Sequence, residues 1–250
     1  LSAFFLFALA NAFPFIGLKV GDRIEQMHIV SAGLALFRQG MGEIGALVLL
    51  TSVLGPLLAL GGMARASYDA INEWMRVAFN PDMFLTATQN ITDRSFRFPA
   101  SFADEVRASP DVRVVQLVRN GRLTFNGGPV MFVAVEIAKL ERESFLPPME
   151  GDSTTMYKRA AAGEGFILSD NFAQLYNVHL GNALTLNTPS GPLTLPVVGV
   201  VRDYSDQKGT VLMDRAVFIK HWNDDSINIV RLYLKRGATV EATRQWLEQR

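Results

Sequence analysis

Residues 44–64, from Ile44 to Ala64, read IGALVLLTSVLGPLLALGGMA, and no charged side chain lies between Glu43 and Arg65. As a helix, about 21 residues reach roughly 31 Å, the thickness of the hydrocarbon layer of a bilayer. Helices buried in soluble proteins rarely run so far without a charge. This stretch therefore divides the chain into an apolar first part and a remainder of ordinary soluble composition, and the fold has to be read from that division.

Working outward toward the start, a second uncharged run, LSAFFLFALANAFPFIGL, occupies Leu1 to Leu18. It is just long enough to span a bilayer, and Asn11 and Pro14 inside it are tolerable where neighbouring helices satisfy the freed carbonyl. No basic segment precedes it and no small-x-small site follows it, so it reads as an anchor rather than a cleaved signal. Up to Ala64 the only charges are Lys19, Asp22, Arg23, Glu25, Arg38 and Glu43. Between the two runs, Ile29-Val30 and Leu34–Phe37 predict a partly amphipathic helix within Lys19–Gln39, ending at Gly40 and suited to the membrane interface. The expectation is a membrane region, 1–63, with two spans (1–18 and 44–64), followed by an extramembrane domain, 64–250.

Working outward the other way, the helical spacing does not stop at Arg65. Tyr68, Ile71, Trp74, Met75 and Val77 recur at helical intervals with Arg65, Asp69, Glu73 and Arg76 between them, which predicts one helix leaving the membrane and ending near Asn80-Pro81. Gly55-Pro56 predicts a kink in it. Trp74 and Tyr68 suit either the membrane–water boundary or a face packed on the domain.

Strand and helix signals then mix without strict alternation. Strands are expected at 83–88, 112–118, 122–125, 129–136, 166–168, 181–187, 193–203, 209–213 and 227–234. The turns between them are carried by Asn120-Gly121, Asn126-Gly127-Gly128 and Thr188–Gly191. Helices are expected at 98–108, 154–162, after Ser169 as N-cap, at 214–222 and from 239 onward, and the charged stretch 137–144 reads as helix or loop. The fold class is α+β, a mixed sheet in one domain or two lobes.

Composition narrows the chemistry. Net charge is zero, with 24 basic and 24 acidic side chains, which gives no electrostatic case for nucleic acid. Without cysteine there is no disulfide, thiolate metal site or thiol nucleophile. The GxxxxGKS/T, GxGxxG, HExxH and GxSxG patterns are missing. His221 with Asp224 and Asp225 fits no metal-ligand spacing and reads as a solvated turn. Ser169-Asp170 with His179 lacks an oxyanion hole and reads as a helix cap. Asp104-Glu105 and Glu141/Glu143 read as solvating carboxylates, and Asn90-Ile91-Thr92 is a glycosylation pattern only. No residue is assigned a catalytic, cofactor-binding or metal-ligating role, and the chain is not read as an enzyme.

Residues 163–205 read GEGFILSDNFAQLYNVHLGNALTLNTPSGPLTLPVVGVVRDYS. This resembles the extracytoplasmic domain of FtsX-like, MacB-like ABC transporter permeases. The matching residues are Ile167, Ser169, Phe172 and Ala173 of a strand and helix, the Leu180-Gly181-Asn182 turn, Pro189 and Gly191 of a strand pair, and a Val-x-x-Asp-Tyr stretch, Val200 to Tyr204. SYDAINEWM from Ser67, SFRFPASFADEVRASPDV from Ser95, PVMFVAVE from Pro129 and the segment from Gly209 to Ala238 extend the likeness over about 64–250. The first 62 residues resemble instead the membrane region of paraquat-inducible protein A, on Phe13-Pro14, Ser31-Ala32-Gly33, Ala35-Leu36, Gln39-Gly40-Met41 and Leu58.

The permease resemblance implies a subunit of the bacterial inner membrane with its large domain in the periplasm. It implies no bound cofactor, a separate cytoplasmic ATP-binding subunit, a second permease copy or homologue, and a periplasmic adaptor. It implies coupling of ATP hydrolysis to export, lipoprotein extraction or periplasmic signalling; the alternative is a scaffold that docks a periplasmic cell-wall hydrolase. Two spans put Lys19–Glu43 in the cytoplasm, which the positive-inside rule accepts, whereas the paraquat-inducible resemblance implies that this loop lies outside.

Overall fold

A computed structural model describes residues 16–20, 23–27, 29–86, 88 and 96–249. Contacts divide the chain into two compact units, Leu1–Asn72 and Glu73–Arg250.

In the first unit, β1 (Ile16–Val20) and β2 (Arg23–Met27) form an antiparallel hairpin, and α1 (Ile29–Arg38) follows. The expected first span falls mostly in 1–15, outside the described residues, and its last three residues belong to β1. The helix expected within Lys19–Gln39 is confined to Ile29–Arg38, because 16–27 pair as strands instead. It also does not stand apart from the span. Helix α2 (Gly42–Leu49) turns back on α1 through glycines. A Cβ at Gly33 would sit 2.6 Å from Leu49, and one at Gly45 would sit 2.7 Å from Phe37 and 2.8 Å from the Gly33 carbonyl. Only hydrogen at these two positions lets the helices come this close.

From Gly42 the helix is unbroken to Ala78: α2, a π-helical segment at Leu50–Leu54, then α3 (Gly55–Ala78). Gly42–Val77 is the one helix among the described residues long and apolar enough to cross a membrane. Its large side chains point outward, Leu58 and Met63 being 67% and 69% exposed. The kink expected at Gly55-Pro56 takes the form of the π turn just before it.

The second unit is built on a mixed sheet. Its strands are β3 (Met83–Thr86), β4 (Val112–Phe125), β5 (Gly128–Val135), β6 (Pro148–Glu150), β7 (Phe166–Ser169), β8 (Ala183–Thr188), β9 (Gly191–Val201), β10 (Thr210–Asp214) and β11 (Ile229–Leu234). The order is β3-β11-β4-β5-β10-β7-β9-β6, with β8 hairpinned onto β9. β5–β10 and β7–β9 are parallel and the other pairs antiparallel. The helices between strands are α4 (Phe102–Arg107), α5 (Ile137–Glu143), α6 (Ser153–Ala161), α7 (Asp170–Tyr176) and α8 (Arg215–Trp222), and α9 (Val240–Glu248) follows β11.

The central strands read as unbroken apolar runs because both their faces are covered. Along β5, Val130, Phe132 and Ala134 join a core with Phe172 of α7 and Phe218 of α8, while Val135 joins the opposite core with Ile137, Met156 and Tyr157 of α5 and α6. The same alternation sends Val211 and Met213 of β10 one way and Leu212 the other. A third cluster lies where β3, β4 and β11 meet Ala103 and Val106 of α4.

Asn126 and Gly127 have φ of 47° and 76° and close the β4–β5 hairpin as expected. Asn120-Gly121 does not turn. Residues 112–125 are one strand, because Asn228 brackets Asn120, accepting from its N–H at 2.9 Å and donating to its carbonyl at 2.9 Å. Gly121 is needed there for space: a Cβ would lie 2.7 Å from the Phe132 ring.

Candidate functional site

Among the described residues, the carboxylate, hydroxyl and imidazole groupings that the sequence suggested do not come together. The Asp224 carboxylate accepts from Arg97 and Arg119, each at 3.2 Å, rather than meeting His221. Ser169 caps α7, its Oγ accepting from Phe172 N–H at 3.3 Å and Thr210 N–H at 2.8 Å. His179 lies instead 2.8 Å from Glu150, whose other oxygen accepts the Leu180 N–H at 3.0 Å. That backbone hydrogen bond, with a further contribution from His179, holds the Glu150 carboxyl below its ordinary range despite partial burial. Asp104 pairs with Arg107 at 2.6 Å, and Glu143 binds Arg113 through both oxygens at 3.0 and 2.8 Å. Among the described residues no group of histidines and carboxylates has the arrangement of a metal site. Asn90–Thr92 lies outside the described residues.

What the structure does assemble is a clamp on the end of α3. Spacing of three places Trp74 and Val77 on one helix face, half-buried against the sheet. The Trp74 Nε1–H donates to Asp203 Oδ1 at 3.1 Å. The same oxygen accepts the Ser205 N–H at 3.1 Å and the Ser205 hydroxyl at 2.5 Å, so three donors converge on it. Tyr204 meets the indole edge-to-face at 5.9 Å, and Arg202 faces Glu73 at 3.7 Å. A few residues further on, the Asn80 side-chain amide donates to the Glu143 carbonyl. The helix end is thus tied at two points, one on the loop that follows β9 and one on the end of α5.

Two adjoining hollows flank the indole. The outer, about 140 Å³, is lined by Leu146, Pro147, Pro148 and Met149, with Glu73 and Arg202 at its rim. The inner, about 60 Å³, runs between Val133, Leu212, Asp203 and Arg231. Burial pushes the Arg231 guanidinium below its usual pKa, opposed by Tyr233 and Asp203. Its Nη1 donates to Gln116 at 3.4 Å, and its Nε finds no hydrogen-bond partner among the described residues. Leu146, shared by both hollows, is fixed by Tyr157, which accepts its N–H at 2.7 Å and donates to its carbonyl at 3.0 Å. Burial raises the Tyr157 phenol to about 12.

The sequence held this site in two pieces. SYDAINEWM contains Trp74, and Val200–Tyr204 contains Asp203, and nothing in their spacing of 129 residues indicated that they touch. Arg231 lies in an apolar strand, IVRLYL, where a lone charge was the available signal.

Comparison with known proteins bears on the same division of the chain. Residues 1–92 match the family model of paraquat-inducible protein A, which carries that likeness past residue 62 to the end of the long helix and β3. The chain is 27% identical over 242 residues to the ABC transporter permease protein Rv0987 of Mycobacterium tuberculosis, a match taking in 94% of this chain and 28% of that relative. One relative therefore contains both the apolar part and the domain in succession, and the chain spans under a third of its length. The periplasmic region of MacB from Actinobacillus actinomycetemcomitans shares the fold, with a TM-score of 0.51 at 12% identity over 68% of this chain and 84% of that one. The extracellular domain of the ABC-type transporter YknZ from Gram-positive bacteria gives a TM-score of 0.47 at 11% identity, over 64% and 86% of the respective chains.

Proposed function

We propose that this chain is a membrane region, 1–63, and the outer domain, 64–250, of an ABC transporter permease of the MacB/FtsX type, seated in the bacterial inner membrane with the domain in the periplasm. The observation that carries the reading is the clamp. A helix apolar enough to cross a bilayer continues without a break into turns that are hydrogen-bonded, through Trp74 and Asp203, to a domain of MacB fold. The likeness to a permease over 94% of the chain supports it.

In this reading the chain does mechanical rather than chemical work. A separate cytoplasmic subunit binds and hydrolyses ATP, and a second permease copy completes the membrane part. Movement of the membrane helices reaches the domain along α3, because an intact helix resists bending and its end is fixed at Asp203 and Glu143. The domain passes it on, to a periplasmic adaptor or directly, as export, lipoprotein extraction or signalling.

The test is to purify the whole permease from membranes in mild detergent. The reading expects a copurifying ATP-binding subunit and ATP hydrolysis that stops when that subunit's phosphate-binding lysine is replaced. A permease that extracts without detergent, or that copurifies with no nucleotide-binding partner, would overturn it.

A further inference from the structure

The Leu50–Leu54 segment is an exception in an otherwise α-helical ladder. The N–H of Gly55 bonds the carbonyl of Leu50, five residues back rather than four. The cause is local. Pro56 has no N–H, and its ring would collide with the carbonyl four residues earlier, that of Ser52, so the α ladder cannot close there. Gly55 eases the wide turn, since a Cβ at this position would lie a tight 3.2 Å from the Leu50 carbonyl. Thr51 lies inside this segment, and its hydroxyl donates back to the preceding turn, lying 2.9 Å from the Leu47 carbonyl and 3.3 Å from that of Val48. A hydroxyl poised between two acceptors can exchange them as the ladder shifts.

The position of the exception matters as much as its chemistry. Before it, α2 is locked onto α1 at Gly33–Leu49 and Gly45–Phe37. After it, Leu58 and Met63 stand 67% and 69% exposed. We propose that Leu50–Leu54 is a swivel joint in the span, which keeps α2 seated on α1 while the helix from Gly55 onward turns about its own axis. One residue more or less in the turn rotates everything beyond it by about 100°. This rests on the reading of Gly42–Val77 as membrane-spanning and on nothing about nucleotide or partner.

The experiment is distance measurement between paired spin labels in the whole permease reconstituted into bilayers. Leu34, Leu47 and Leu58 are all exposed, so labels there leave the packing intact, and this chain contributes no cysteine of its own. The Leu34–Leu47 pair, on the near side of the joint, is expected to give one narrow distance distribution. The Leu34–Leu58 pair, across it, is expected to give a broad or two-peaked one. Pro56→Ala restores the missing N–H and should collapse the second distribution to a single narrow peak. Gly55→Ala crowds the Leu50 carbonyl and should shift the balance between the two peaks. A Leu34–Leu58 distribution as narrow as Leu34–Leu47, or one that neither variant changes, overturns the joint. A protein that fails to enter bilayers at all sinks the membrane reading first, so the two failures are told apart.

Discussion

Asp203 Oδ1 receives three donors, and only one of them, the Trp74 indole, comes from the helix. Trp74→Phe should therefore be mild: the carboxylate keeps both Ser205 donors, and losing one partly exposed hydrogen bond to a charged group costs about 1.5 kcal/mol, the low end for such bonds. Trp74→Ala also removes the ring that divides the two hollows and should cost about 2–3 kcal/mol, below the value for a fully buried tryptophan because this one is half-exposed. Urea midpoints of the two variants in detergent check the order; equal midpoints would mean that the ring contributes nothing beyond its N–H. Glu150 gives a pH signature. Its folded pKa is depressed, chiefly by the Leu180 N–H, so its stabilisation is present above the unfolded value of about 4.3 and is lost as pH falls through the lower folded value. Melting temperature of the wild type should fall on acidification below about pH 4 more steeply than that of Glu150→Gln, and parallel curves would contradict this.

At the scale of elements, local chemistry made most of the domain legible. Asp152, Ser169, Asp214 and Thr239 cap α6, α7, α8 and α9 with side-chain acceptors, and the Asn126-Gly127 turn closes the hairpin that its composition predicts. Asn120-Gly121 carries the same turn signature and lies mid-strand, because Asn228, remote in sequence, pairs both backbone groups of Asn120 and Gly121 stays paired with Phe132 of β5. The clamp was illegible for the same reason: the indole and its acceptor are 129 residues apart. The three-residue strand β6 was also missed, since Pro147-Pro148 reads as punctuation when it is in fact a sheet edge pairing with β9. The long helix is the element on which the proposed function leans. Tyr68 is 68% exposed, so Tyr68→Pro loses little packing. It still breaks the backbone ladder at a cost of about 3 kcal/mol or more. Transport or signalling by the whole permease should be abolished in that variant while its domain remains folded by circular dichroism; unimpaired function would show that the helix transmits nothing.

For the whole molecule, the apolar stretch that divides the sequence also divides its physics. One part has its large side chains turned outward, and the other buries two cores on opposite faces of a sheet. The proposal joins them through one helix, and Met149 offers a direct view of that joint. It lines the outer hollow beside Trp74 and is 49% exposed. The decisive measurement is the thiol-labelling rate of Met149→Cys in membranes containing the whole permease and its ATPase subunit, with and without trapped nucleotide. The account predicts a rate that changes on nucleotide trapping and that no longer changes once Tyr68→Pro is added. A rate indifferent to nucleotide, or a response that survives the broken helix, would contradict it.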